Sequence, residues 1–480
     1  MATKTLEELF DWMDSDINGS YVENVGYLED GRIVASISDW ESNENSIAVL
    51  TKTDAEQVVQ KETIVIATLS SAYDIRSSAV KFNKSSDKYR ITVREYFDYD
   101  YNNYTEDSYK TAMSDALNRL LNDLTSDNCP DIIDLVGMDI QDLVDKGLIE
   151  DLGIYLDKSS KISRSDILEN VLDIYTYNGI LTCIPTSVSL QTVVGKTADV
   201  GEEMGWTLEE VMAYGDAHPD ARLFDHTSKS TIMSYMIMLN GDAFIDWSTR
   251  ECRFDSEEFK KLLEFVNRFP DEDDYNSDTL STPNKIQKGD VLLDMVYISQ
   301  FNDIQIYGDI YQGDYTLIGF PTVDGEGGCV LSSSSTYAVT SKSARKDGAW
   351  EFLEGMLAQE PSRHFWGFPT VKKYLNAMME EEMRKYYMDE EGNPVLDENG
   401  QPMVREGTSS ISYEDGWSYT YHVVTQEEVD MVMELLNTAE PVAWSGSEEV
   451  GKIISEEAEA FYKGQKTVDE VAKIIQSRIK

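Results

Sequence analysis

Histidine and cysteine are scarce in this chain of 480 residues, with four of each. His218, His226, His364 and His422 are spread singly, and no His-Glu-x-x-His segment occurs. Cys129, Cys183, Cys252 and Cys329 lie far apart with no Cys-x-x-Cys spacing, which removes the usual zinc frameworks. Each stands in an apolar or strand-like context, so buried free thiols are expected, with one disulfide left open. Gly-x-Ser-x-Gly is absent, and the glycines of DGEGGCVLSSSS are not followed by the Gly-Lys-Ser/Thr of a phosphate loop. No apolar run approaches the roughly 18 residues that span a bilayer. Basic residues are also in deficit: 41 Lys and Arg face 89 Asp and Glu, for a net charge of −48. Such a surface repels nucleic-acid phosphate and anionic lipid, and argues against an anionic ligand unless a local basic pocket overrides it. These absences leave no cofactor, no metal and no nucleic-acid partner to expect. Carboxylates are so plentiful that any two could be paired as a glycosidase couple, so they carry no catalytic signal.

What is present describes a globular chain. Apolar residues make up 41% and aromatics 10%, and the length exceeds one ordinary core, which implies two or three domains. Residues 1–58 predict a capping box at Thr5 and Glu8, a short helix to Met13, and then strands around an Asp30-Gly31 hairpin turn. From Lys61 strand and helix alternate. Thr63 to Thr68 is a buried strand, Arg76 to Asn83 a helix, and Tyr89 to Val93 a strand. A helix carrying Met113, Leu117, Leu120 and Leu124 follows, then a strand Ile132 to Val136 and a helix from Asp139 stopped by Gly147. This rhythm predicts a parallel sheet covered on both faces, whose ligand edge lies at Ser70 to Asp74 and Gly137 to Asp139.

Tyr175 to Trp206 reads as a crossing. Asn178-Gly179 is turn chemistry, Ile180 to Ile184 and Leu190 to Val194 are strand-like, and Pro185 and Ser187 separate them with no helix between. On pattern alone this fits either a passage between two lobes or a connection inside one domain. Beyond it the spacing predicts helices at Thr207 to Tyr214, Ser230 to Leu239 and Asp255 to Phe269, and the last has Phe259, Leu262, Leu263 and Val266 on one stripe. NGDAFIDWSTRECRFD reads as turn and hairpin. DEDDYNSD has the oxygen density of a calcium loop without the EF-hand glycine spacing. The strand-like runs Val291 to Ile298, Tyr315 to Phe320 and Tyr337 to Thr340 follow, with DGEGGCVLSSSS as a flexible return linker. The tail is mainly helical, with a surface hairpin at Asn399-Gly400 and no repeated segment evident.

YNGILTCIPTSVSLQTVVGK followed by MGWTLEEV resembles the hinge passage of extracellular solute-binding proteins of ABC transporters, the carbohydrate-type family. KETIVIATLSSAYDIRSSAVKFN, PDIIDL, LIEDLGIYLD, YTLIGFPTVDGEGG, STYAVTSKSARKDGAWEFLEGML and YKGQKTVDEVAKIIQSRIK match in order, from about Lys61 to the end. The resemblance implies an α/β protein of two lobes joined by a hinge, with a central cleft and a small N-terminal β-rich segment. Residues 1–58 resemble one blade of a β-propeller, and 59–480 form the binding module. Lobe one spans about 59–186 with a return near 318–375. Lobe two spans about 187–317 with part of the C-terminal helices. The implied protein is a monomer without enzymatic activity. It is extracellular, with a lipid anchor and export signal in the full-length protein that this sequence lacks. It binds a sugar, oligosaccharide or other small solute and delivers it to an ABC permease. A surface glycan-binding module without transport, and less so a glycoside-active enzyme, stay open beside it.

A neutral sugar offers apolar faces to aromatic rings and hydroxyls to Asp, Gln and Ser. Loop rings among the 8 Trp and 27 Tyr are therefore the candidates: Tyr73, Trp206, Tyr297 and Trp366, with Trp417 behind them, whereas Trp350 lies on a helix stripe. Asp139, Ser187, Gln191 and Asp242 are the polar candidates at strand ends or turns, with helix capping as the competing role for Asp139 and, more weakly, Asp242.

Overall fold

The computed structural model describes the chain except 1–9, 41–43, 55–58, 70–72, 98, 100–104, 247–248, 250, 273–278, 334, 362–365, 390, 406, 408, 442–447 and 480. The capping box at Thr5, most of the Ser70 to Asp74 edge and the acidic string after Glu272 lie outside the described residues. The chain forms two compact units. The first is Met1–Asp166, Tyr175–Thr186 and Ser334–Phe365; the second is Ile167–Ile174, Ser187–Ser333 and Trp366–Lys480.

The first unit is built on a four-stranded sheet in the order Tyr337–Val339, Ile132–Asp134, Glu62–Thr68, Tyr89–Glu95. The three N-terminal strands run parallel, and Tyr337–Val339, entering from the second unit, runs antiparallel. Ile64, Ile66, Ile91, Ile132 and Ile133 are wholly buried, as continuous apolar strands covered on both faces must be. Helices Tyr73–Ser85, Glu106–Thr125 and Lys346–Ala358 belong to the same unit. The β-rich segment is a three-stranded antiparallel meander, Val22–Tyr27, Ile33–Asp39 and Glu44–Leu50. A propeller blade has four strands. The segment is not separate from the first unit. Asn18 Nδ2 donates to Ser77 Oγ at 3.0 Å, Tyr21 Oη lies 2.7 Å from the same hydroxyl, and the Arg90 guanidinium donates to the Met13 carbonyl.

The crossing differs in detail from expectation. The first strand shrinks to Ile180–Leu181, which pairs with Thr176–Tyr177 around Asn178 and Gly179, at φ 50° and 80°. The second lengthens to Ser187–Lys196 and runs through Gly195, where a Cβ would come within 2.8 Å of the Leu293 side chain. This strand is the axis of the second unit. Asp294–Ile298, Tyr315–Leu317, Val330–Ser332 and Phe368–Pro369 all pair with it, antiparallel, and Val330–Ser332 also pairs with Glu440–Pro441. That pairing keeps 315–333 in the second unit, so the return to the first spans only Ser334–Phe365 rather than 318–375. The glycine-rich stretch before it is no flexible linker: a Cβ on Gly328, at φ 99°, would sit 2.3 Å from the Phe320 carbonyl oxygen. The helix Glu169–Ile174 also belongs here, held by Leu168 N–H to the Thr370 carbonyl and by Asn170 Nδ2 to the carbonyls of Leu436 and Ala439.

One core of this unit joins Val193, Leu293 and Val330 of the sheet to the helices Lys229–Phe244, Glu257–Val266, Glu448–Tyr462 and Val468–Ile479. Phe259, Leu262, Leu263 and Val266, the predicted stripe, are wholly buried. The turn read at Asn240-Gly241-Asp242 is instead the last turn of the helix Lys229–Phe244. Buried Asn240 does not break it, because Nδ2 donates to the Met236 and Pro321 carbonyls and Oδ1 accepts from Val323 N–H at 2.7 Å. Among the described residues no helix is long and apolar enough to cross a membrane.

Candidate functional site

Alternation along the axial strand sorts its side chains. Ser187, Ser189, Gln191 and Val193 share one face, and so do their direct partners Met295, Tyr297, Val330 and Ser332. At the Val193 end this face is core. Toward the start of the strand it becomes a polar strip. Ser189 Oγ lies 3.2 Å from Ser332 Oγ, Gln191 is half-buried, and Tyr297 opposite Gln191 is 53% exposed. Phe368–Pro369 pairs with Val188 and Ser187. The backbone at Gly367 runs so close that a Cβ would meet the Val188 carbonyl oxygen at 2.7 Å. This brings Trp366, 71% exposed, to the same end of the sheet. Ser187, Gln191, Tyr297 and Trp366, predicted separately, thus gather on one unit.

The other predicted residues divide. Trp206 is core: it is 5% exposed and its Nε1 donates to the Gly319 carbonyl at 2.8 Å. Asp139 Oδ1 accepts from Asp142 N–H at 2.9 Å and caps the helix Ile140–Asp145. Tyr73 begins a helix rather than ending a loop, and its side chain lies outside the described residues. Trp417 and Trp350 are both buried. Asp242 is exposed and lines a separate cavity of about 660 Å³ with Asn240, Arg253, Glu258, Asp324 and Glu440 among its walls.

Sequence reading missed a charged group in the same unit. Lys285 Nζ donates to both Asp225 oxygens, at 2.9 and 2.7 Å, Thr282 Oγ1 donates to Asp225 Oδ2 at 2.7 Å, and His226 Nε2 lies 3.4 Å from that oxygen. Arg222 and Val291 form a parallel bridge, which sets this group beside the strand that carries Tyr297. Nothing in the sequence around Lys285 announces a buried partner 60 positions away. On the opposite face of that strand, burial pushes Asp294 up to about 6, and Tyr307 Oη donates to it at 3.3 Å. Burial, and then Asp303, push Glu382 up to about 7, while Phe301 N–H donates to its carboxylate at 3.1 Å. The thiols of Cys183 and Cys329 are buried, and burial raises both, Cys329 to about 12. Such groups suit structure rather than nucleophilic attack. Among the described residues no group of three or more His, Cys, Asp or Glu could hold a metal ion. What the strip offers is hydroxyls, an amide and the open ring of Tyr297, with the exposed Trp366 at the same end of the sheet, the equipment for binding a hydroxylated, partly apolar molecule.

The family profile described as bacterial extracellular solute-binding protein matches residues 77–367. Among solved structures, the sugar-binding protein MalE from Xanthomonas citri is 13% identical, with 87% of this chain and 96% of that one covered and a TM-score of 0.51. An ABC substrate-binding protein from Listeria monocytogenes, in complex with cycloalternan, is 14% identical over 88% of this chain and 98% of its own, with a TM-score of 0.49. A family 1 extracellular solute-binding protein from Bifidobacterium longum subsp. infantis is 15% identical over 87% and 98%, with a TM-score of 0.47. At these identities the likeness is one of fold. No curated protein sequence matches the chain.

Proposed function

From the premise that this chain belongs to the bacterial extracellular solute-binding proteins and has their two-lobe α/β fold, we propose that it binds a sugar or oligosaccharide outside the cytoplasm and delivers it to an ABC permease. The observation that carries the reading is the pair of open rings, Tyr297 and Trp366, at the polar end of the axial strand with Ser187 and Gln191. Rings left this exposed on an ordered strand and its neighbour contribute little to stability, yet they suit stacking on the CH face of a pyranose. The structure of this fold from Xanthomonas citri is described as a sugar-binding protein, which supports the same ligand class. The reading is one of binding rather than catalysis. A thermal-shift screen of mono- and oligosaccharides tests it. One sugar should raise the melting temperature saturably, and Tyr297→Ala or Trp366→Ala should weaken that response. Turnover of a chromogenic glycoside, or no shift with any sugar, would reject it.

A further inference from the structure

The stretch Asp389 to Val404 contains an eight-residue repeat. DEEGNPVL is followed directly by DENGQPMV, so that Asp, Glu, Gly, an amide residue, Pro and two apolar residues recur in register. The expectation of no internal repeat is corrected here, and the two copies fold alike. Gly392 and Gly400 take φ 80° and 76°, and their N–H groups donate to the Asp389 and Asp397 carbonyls at 3.1 and 3.0 Å. The Asp389 carboxylate accepts from Asn393 N–H at 2.7 Å, and that of Asp397 accepts from Gln401 N–H at 2.8 Å. The copies then stack on the residues before them. Val395 N–H donates to Tyr387, Met403 N–H to Val395, and Tyr387 N–H back to Met403, at 2.8, 2.8 and 3.1 Å. This three-way ring orders the segment without a helix or a core.

What the ring holds outward is apolar. Tyr387, Leu396, Met403 and Val404 are 45%, 57%, 41% and 45% exposed. The carboxylates Asp389, Glu391, Asp397 and Glu398, also exposed, are interspersed with them along the segment, and no Lys or Arg occurs between Tyr386 and Val404. The basic residues Arg384, Lys385 and Arg405 stand at the base, where Arg384 and Arg405 both pair with Glu381 and Arg405 N–H donates to the Lys385 carbonyl at 2.9 Å. An apolar patch ordered this closely and rimmed by one sign of charge marks an interaction site. The rim selects the occupant. It repels an anionic lipid surface, and on a chain of net charge −48 it repels a second copy. We propose that the 387–404 projection docks a protein partner whose contact face is an apolar pocket ringed by Lys and Arg. This rests on the repeat alone and does not require the solute-binding reading.

Two labelled helical peptides of equal positive charge, one Leu/Lys amphipathic and one Ser/Lys, serve as probes against the full chain, read by fluorescence anisotropy. The parent should prefer the Leu/Lys peptide by at least about tenfold. The double variant Leu396→Ser, Met403→Ser should lose that preference with its melting curve unchanged. A control altered on the exposed N-terminal meander, Ile47→Ser with Val49→Ser, should keep it. Equal binding of both peptides, or a preference that survives the double variant or is lost equally in the control, would overturn the proposal. So would co-sedimentation with phosphatidylserine vesicles, or a dimer that the double variant dissolves, since lipid or a second copy would then be the occupant.

Discussion

The two sheets treat the polar groups at their strand ends differently. In the first unit, the side chains beyond Ile132–Asp134 are consumed within the fold. The Asp134 carboxylate accepts from Thr68 Oγ1 and Val136 N–H, and Asp139 caps the next helix. In the second unit, Ser187 and Gln191 lie in the first half of the axial strand, and Tyr297 beside it and Trp366 near its start are left open. A strand-end position is therefore not itself a binding position. What decides is whether an orphan backbone N–H or carbonyl lies within reach, because an unsatisfied buried polar group costs more than a freed side chain gains. Trp206 and Trp366 make the same point with one residue type: the first gives its indole N–H to Gly319, and the second is left in solvent.

The largest expected break falls on the consumed side. Trp206→Ala should cost about 3–5 kcal/mol of folding stability, from the lost ring and the cavity it leaves, measured by urea unfolding. An unchanged midpoint would move Trp206 to the open class. Glu382→Gln comes next. Its acid is raised from 4.5 to about 7 in the fold, so the folded state holds the proton more tightly than the unfolded chain. Stability then falls as pH rises from about 4.5 to about 7, by up to about 3 kcal/mol. The Gln variant should match the parent near pH 4.5, exceed it near pH 8 and show a flatter profile in between. On the open side, Trp366→Ala or Tyr297→Ala should weaken binding of an identified sugar by about 2 kcal/mol in calorimetry, while folding stability shifts by less than about 0.5 kcal/mol. If stability fell with affinity, the contrast between the sheets would collapse. The smallest effect belongs to Asp139→Ala, which should remove a cap worth about 1 kcal/mol and leave sugar affinity unaltered.

Local chemistry was legible wherever the deciding groups lie close in sequence. The helix expected from Thr207 starts there, with Thr207 and Glu210 capping each other's backbone N–H groups. The stripe Phe259 to Val266 is buried, and Gly147 follows the short helix that ends at Asp145. The tandem repeat at 389–404 was legible too, but its period of eight is neither the 3.6 of a helix nor the 2 of a strand, so a reading tuned to those passes over it.

The sequence by itself determined the alternation of strands and helices and the excess of negative charge, because periodicity and charge act over a few residues, while it left the stretch Tyr175 to Trp206 open between two readings. Tertiary structure alone decided which polar and aromatic side chains remain available. Trp206 is settled by a carbonyl 113 positions away, Lys285 by a carboxylate 60 away, and Asn240 by a loop 83 away. Hydrogen bonds and burial are satisfied between groups that meet only after folding, so availability for a ligand is what remains once the fold has met its own needs.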